Sequence, residues 1–129
     1  MADDYDVIVL GGGPAGEHAV GRCVDAGLSA AIVECELVGG ECSYWACMPS
    51  KTLLRPGQVL AAARRVPGAA AAVTGDLDVS AALARRDWMT DGWDDKGQVE
   101  WLDGVGATLV RGRGNAHSGP RQAGRRATR

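Results

Sequence analysis

The stretch Tyr5-Asp6-Val7-Ile8-Val9-Leu10-Gly11-Gly12-Gly13-Pro14-Ala15-Gly16 decides how this 129-residue chain is read. Tyr5 to Leu10 is a short β-branched run, with charges before it and glycine directly after it, the pattern of a buried parallel strand. The following pattern of Ala15, Ala19, Val20, Cys23 and Val24 has helical spacing, and Gly27 is a natural stop. Leu28 to Val33 reads as a second strand with Glu34 at its end, which completes a βαβ unit of Tyr5 to Glu34. Gly11, Gly13 and Gly16 form G-x-G-x-x-G at its first turn. The first glycine permits the turn, the second lets a pyrophosphate approach the backbone, and the third lets helix and strand pack closely. The helix N-terminus then offers free N–H groups to phosphate, and Glu34 stands where an acid accepts ribose hydroxyls. A glycine turn alone is weak evidence, but its flanking elements and terminal acid favour dinucleotide binding over a turn that only packs.

The next informative stretch is Gly39-Gly40-Glu41-Cys42-Ser43-Tyr44-Trp45-Ala46-Cys47-Met48-Pro49-Ser50-Lys51. Cys42 and Cys47 are close enough to act together. A helix starting near Ser50, and Lys51, would supply the positive potential that favours a thiolate. The pair can therefore be a redox dithiol that closes and reopens a disulfide; spacing alone leaves open that the two only pack. A helical pattern runs on from Lys51, with Pro56-Gly57 expected to break or kink it before it resumes to Arg65. Ala69 to Thr74 is small and apolar, and Gly75-Asp76 reads as a turn. Asp78 or Ser80 is a candidate cap for a further helix containing Leu83, Trp88 and Met89. Trp88, Trp93 and Trp101 are read as fillers of a helical core, Gly104 to Gly106 as a loop, and Ala107 to Val110 as a short strand.

Composition is that of a globular chain, 46% hydrophobic and 23% charged, and no apolar run approaches the roughly 20 residues of a membrane helix. The acidic N-terminus does not resemble a secretory signal, so a cytoplasmic location is expected. Four cysteines in such a chain suggest redox or metal chemistry before a structural framework. Cys23 and Cys35 are read as structural. His18 and His117 have no partner that would make them catalytic. The net charge of −2 hides an asymmetry: all 16 acids lie at or before Asp103, while six arginines and no acid lie between Arg111 and Arg129. From Gly112 on, nothing could bury itself, and residues 115–129 are expected to be disordered. Such a basic tail is also a nucleic-acid signal.

These residues together resemble the N-terminal portion of the class I pyridine nucleotide-disulfide oxidoreductases, the family of dihydrolipoamide dehydrogenase, glutathione reductase and mercuric reductase. The likeness rests on Gly11-Gly12-Gly13-Pro14-Ala15-Gly16, on Glu34, and on Gly39-Gly40-x-Cys42-x-x-x-x-Cys47-x-Pro49-Ser50-Lys51. It implies an α/β fold: a Rossmann-like FAD-binding βαβ unit with a parallel sheet, followed by helices. It implies contacts to FAD from Gly11, Gly13, Pro14, Ala15, Gly16, Glu34, Gly40, Lys51 and Gly114, with Glu34 on the adenosine ribose and Lys51 near flavin N5. Cys47 would be the flavin-side thiol in charge-transfer contact with the isoalloxazine, and Cys42 the interchange thiol that attacks the substrate disulfide. Electrons would pass from NAD(P)H through FAD to the Cys42–Cys47 pair and on to a small-molecule disulfide or related substrate. A homodimer is the family's expected assembly, with no membrane partner.

The chain departs from the family pattern at Glu41 and at Ser43-Tyr44-Trp45-Ala46, which put a bulky pair at the substrate-facing turn. Lipoamide, a low-molecular-weight thiol and a metal ion all stay open as acceptors. No second G-x-G-x-x-G and no partner acid/base pair follow. The expectation is thus residues 1–114 as part of an FAD domain, ahead of a tail produced by truncation or frameshift, in a chain that does not turn over alone; nucleic-acid binding by that tail is the rival account. Two further alternatives are an FAD-holding module without turnover and a dithiol that captures a soft metal, although a structural zinc site would need four ligands.

Overall fold

A computed structural model describes residues 4–117. The expected disordered segment 115–129 therefore lies mostly outside the described residues. Three parallel strands, β1 (Val7–Leu10), β2 (Ala30–Glu34) and β3 (Thr108–Arg111), form a sheet in the order β1-β2-β3. Val7 pairs with Ala30 and Val9 with Ile32, while Ile32 pairs with Leu109 and Glu34 with Arg111. β2 is therefore the central strand and is almost entirely buried. Between the strands lie α1 (Pro14–Asp25), α2 (Gly40–Tyr44), α3 (Cys47–Arg65), α4 (Val79–Met89) and α5 (Lys96–Val105), with single 3-10 turns at Ala70–Ala72 and Asp91–Trp93.

Both strands of the βαβ unit start later than the sequence suggests. The backbone and hydroxyl of Ser29 donate to the Asp6 carboxylate at 2.9 and 2.7 Å, and Asp6 N–H donates back to the hydroxyl at 3.0 Å. This clasp uses the groups that would otherwise extend the ladder. The helix stop is as read: Gly27 has φ +82° and donates to Val24, and Leu28 donates to Cys23. The buried stripe of α1 is narrower than the sequence pattern, since Val20 is buried, Cys23 and Val24 pack beside it, and Ala15 and Ala19 are exposed. The core joins Val20, Ala30, Ile32, Val38, Leu102 and Ala107.

Further along, three expectations are corrected. α3 starts at Cys47, not near Ser50, and runs through Pro56 to Arg65 without a break. A proline inside a helix removes one hydrogen bond at a cost of about 3 kcal/mol; here good helix formers on both sides and packing along α4 offset it. Gly104 and Val105 belong to α5, a helix the sequence reading missed, and Gly106 is its left-handed cap at φ +83°. The tryptophans do not fill a core: Trp88 is 69% exposed with the Arg85 guanidinium 5.7 Å from its ring, and Trp101 is also exposed. Arg86 lies 5.2 Å from the ring of the partly buried Trp93. Asp78 caps α4 as expected, accepting from Ala81 N–H at 2.9 Å. Among the described residues no helix is long and apolar enough to cross a membrane.

Candidate functional site

The two glycine motifs are docked backbone to backbone. Gly39 N–H donates to the Gly12 carbonyl at 2.7 Å. A Cβ on Gly40 would lie 2.9 Å from Gly13 Cα, and Gly39 and Gly40 have φ of +109° and +54°. Side chains at either position would push the turn ahead of α1 away from the cysteine segment. Gly16 is equally constrained, because a Cβ there would sit 1.9 Å from the Gly11 carbonyl oxygen. Gly13 differs. It is extended, with φ −74° and ψ 178°, and a Cβ there would meet nothing within 4 Å. Gly13 caps α1, whose first position is Pro14, so Ala15 and Gly16 are the first-turn amides left without an intrahelical carbonyl. The open space at Gly13 and these donors fit a phosphate.

Glu34 organises this turn. Its two carboxylate oxygens accept Gly12 N–H and Glu36 N–H, each at 2.7 Å. Burial pushes the Glu34 carboxyl up, but the backbone N–H groups of Glu36, Gly12 and Cys35, with the Cys35 side chain, outweigh it and hold it below its ordinary value. A carboxylate has about four lone-pair sites, so two remain to accept hydroxyls. Gly12, which the sequence reading passed over, is the buried member of the turn. Leu10, Gly11, Glu34, Cys35, Gly112 and Gly114 line a groove of about 340 Å³ at this end. Gly114 fits closely there, since a Cβ on it would meet Leu10 Cδ2.

On the other side of Glu34 a second groove, about 530 Å³, runs past Gly13, Pro14 and Gly40 to Cys42, Trp45, Ala46 and Cys47. Cys42 lies on the short α2, and Cys47 opens α3, so the helix N-terminus is at the thiol itself. All four cysteines are free thiols in this structure. A hydrogen bond to Cys47, burial and the Cys47 charge raise the Cys42 thiol above its ordinary value, against the opposing pull of Lys51. Both thiols line the same groove. Lys51 itself lines a separate groove between α3 and α4. Tyr44 and Trp45, read together as a bulky substrate-facing pair, separate. Tyr44 is 2% exposed, its hydroxyl 3.0 Å from the Gln98 side-chain oxygen and 3.2 Å from the Asp94 carbonyl, and Trp93 Nε1 donates to its carbonyl. Burial, and then the charges of Asp95, Glu17, Asp91 and Asp94, push its hydroxyl up to about 12. Trp45 is 44% exposed and stays in the groove.

The segment joining Glu34 to Gly39 is held from a distance. Asp95 accepts Val38 N–H at 2.7 Å and pairs with Arg111, which also donates to the Glu36 carbonyl. Nothing in the local sequence signals this network, because its partners are 57 and 75 positions apart. Among the described residues no three His, Cys, Asp or Glu side chains converge as a metal set.

Fold and site together define a parallel α/β unit in which a glycine-rich turn and a pair of cysteines line one groove. The family model of the pyridine nucleotide-disulphide oxidoreductases matches residues 5–122, and the chain belongs to that family. A dihydrolipoyl dehydrogenase of Rhizobium etli is 52% identical over 60 residues, covering 46% of this chain and 12% of that protein. Dihydrolipoyl dehydrogenase 3 of Pseudomonas aeruginosa is 36% identical over 123 residues, covering 88% of this chain and 26% of its own length. A mercuric reductase of Staphylococcus aureus is 30% identical over 110 residues, 84% of this chain and 20% of that one. The fold matches the HOCl-induced flavoprotein disulfide reductase RclA of Escherichia coli, in its Cu(II) complex, with a TM-score of 0.67 at 20% identity, over 87% of this chain and 22% of that structure. The chain thus spans between an eighth and about a quarter of the length of these relatives.

Proposed function

We propose that this chain is the flavin-holding portion of a disulfide oxidoreductase, with FAD along the two grooves and the Cys42–Cys47 pair as its electron relay. One observation carries the reading: Gly13 and Pro14 share a cavity with Cys42 and Cys47. The α1 amides and the open face of Gly13 would take the pyrophosphate, and the spare lone pairs of Glu34 the adenosine ribose, with Gly114 flanking the adenosine end. Gly11 and Gly16 set the turn, Gly40 keeps the cysteine segment against it, and Lys51 supplies positive charge toward the dithiol. FAD held there would supply hydride-accepting chemistry toward NAD(P)H and the electron pair that returns the Cys42–Cys47 disulfide to the dithiol. Cys42 as thiolate attacks one sulfur of the acceptor disulfide and expels a thiolate. Cys47 then attacks Cys42 in the mixed disulfide, expelling the second thiolate and leaving a Cys42–Cys47 disulfide for the flavin to reduce. The small-molecule disulfide acceptor, the homodimer and a cytoplasmic location belong to the same reading.

The test is reconstitution. The purified chain is incubated with FAD and desalted, and its visible spectrum is recorded before and after anaerobic two-electron reduction. Retained flavin with a long-wavelength band on reduction, lost in Cys47→Ser, is expected. A chain that retains flavin but never shows that band is a flavin-holding module only, and a chain that retains none overturns the proposal.

A further inference from the structure

The segment that joins Cys42 to Cys47 is held from the far half of the chain. Tyr44 stands two positions after Cys42 and three before Cys47. Its carbonyl and its hydroxyl are both taken by residues between the end of α4 and the first turn of α5. Trp93 Nε1 donates to the Tyr44 carbonyl at 3.1 Å, and the Tyr44 hydroxyl is shared between the Gln98 side-chain oxygen and the Asp94 carbonyl. These partners lie 49 to 54 positions away. The connection that supplies them is itself unusual. Asp91, Gly92 and Trp93 all lie in the left-handed region, with φ of 50°, 61° and 62°. Glycine adopts this region freely and aspartate tolerates it, but a side chain as bulky as tryptophan enters it only under constraint. The constraint is visible: Trp93 N–H donates to the carbonyl of the buried Thr90 at 2.9 Å, and the Arg86 guanidinium lies 5.2 Å from the indole. Strain of this kind gathers where a site needs fixed geometry. A glycine at position 93 would form the turn without strain; what the tryptophan adds is an indole N–H aimed at the segment between the cysteines.

We propose that Trp93, acting through Tyr44, is a positioning residue for the cysteine pair: it fixes the segment between them so that Cys42 and Cys47 stay within reach of each other. The proposal rests on the reading that these two thiols close and reopen a disulfide. An internal disulfide forms in competition with outside thiols, and its advantage is the effective concentration of one thiol at the other. That advantage grows when the chain between them has few conformations to lose on closing. The Trp93 N–H and the Tyr44 hydroxyl remove freedom at the middle of that segment. Tyr44 also carries Trp45 with it: the two rings meet edge to face with centroids 5.8 Å apart, and Trp45 lines the groove beside both cysteines. The anchored tyrosine thus sets the wall next to the thiols as well as the span between them.

The experiment equilibrates the full chain anaerobically in redox buffers of reduced and oxidised glutathione. The protein dithiol loses two electrons and two protons as it becomes the Cys42–Cys47 disulfide, and oxidised glutathione takes them up and becomes two molecules of the thiol. Acid quenching, alkylation and peptide mass spectrometry read this pair apart from Cys23 and Cys35. Trp93→Phe keeps a ring and removes the N–H, and Tyr44→Phe keeps the ring and removes the hydroxyl. Each is expected to lower the equilibrium constant for closing the disulfide about two- to tenfold, as for loss of one part-buried hydrogen bond. The double variant should lose less than the product of the two, because both groups hold one segment. In a Cys47→Ser background, Trp93→Phe should leave the mixed disulfide of Cys42 with glutathione unchanged, since positioning acts only on the pair. Trp88→Phe, at an exposed ring, is the control and should leave the closing constant as it is. Thermal melts accompany every variant. A lowered melt with an unchanged closing constant is what a merely structural role gives, and it would overturn the proposal. A Cys42 mixed disulfide shifted as much as the pair, or a Trp88→Phe effect as large as that of Trp93→Phe, would overturn it too, leaving the redox pair intact. A wild-type chain that forms no Cys42–Cys47 disulfide at any buffer ratio would overturn the redox reading and this proposal with it.

Discussion

Gly13→Val tests the proposed FAD site apart from the stability of the fold. The backbone at Gly13 is extended, which valine adopts freely, and the added Cβ meets no atom within 4 Å. The structural cost is the exchange of a tolerated cap residue for a poor one, about 1 kcal/mol or less. The functional cost is larger, since the isopropyl group fills the space through which phosphate oxygens would reach the amides of Ala15 and Gly16. Two charge-assisted hydrogen bonds at about 1.5–3 kcal/mol each amount to roughly 3–6 kcal/mol, or on the order of 10²- to 10⁴-fold in Kd. A fluorescence titration of FAD into the wild-type and variant chains measures the affinity, and a thermal melt measures the fold. Gly16→Ala is the contrasting control: its Cβ would stand 1.9 Å from the Gly11 carbonyl oxygen, so this smaller change should damage the fold itself. If Gly13→Val bound FAD as tightly as the wild type while melting normally, the phosphate would not lie at this turn.

Three further outcomes are expected. Because a hydrogen bond to Cys47 is the largest cause of the raised Cys42 thiol, Cys47→Ala should move the pH profile of Cys42 alkylation down toward the ordinary thiol value; an unmoved profile would mean that the sulfurs are not in contact. Glu34→Gln turns one acceptor of a buried backbone N–H into a donor and should cost about 1–3 kcal/mol in denaturant unfolding. The Glu34 carboxyl is depressed below its ordinary 4.5, so its stabilisation is complete above pH 4.5 and fades as pH falls through the lower folded value; acid unfolding of Glu34→Gln that matched the wild type would contradict this. Asp95→Ala strands Val38 N–H and the Arg111 guanidinium, and hydrogen exchange at Val38 should speed up by more than the global loss of stability explains.

What was legible in the sequence was local. The first strand, the glycine turn, α1 and β2 lie in thirty consecutive residues, and each element announces its neighbour. Their boundaries shifted only where Asp6 and Ser29 bond to each other. The shape of the cysteine segment was not legible: nothing in Ser43-Tyr44-Trp45 says that Tyr44 turns inward to Gln98 and Asp94 while Trp45 remains in the groove. α5 was missed because Gly97 and Gly104 interrupt its helical pattern, and α3 was read with a break at Pro56-Gly57 that packing overrides. The tryptophans misled because an apolar ring suggests a core, whereas Trp88 lies on the surface beneath an arginine. Asp95 and Arg111 have no local signature; they matter only because the chain returns.

That return has a consequence for the order in which the molecule is made. β1, α1 and β2 can pair as soon as they leave the ribosome, since their contacts span about twenty residues. The segment from Glu36 to Val38 cannot be fastened until Asp95 and Arg111, 57 and 75 positions distant from their partners, have been synthesised. Closing the longer loop costs only about 1 kcal/mol more than closing the βαβ unit, but it delays the event, because distant pairings form late. The glycine turn is therefore complete while the path from it to the cysteines is still loose, and in that interval Cys42 and Cys47 are free to react with thiols or disulfides other than each other.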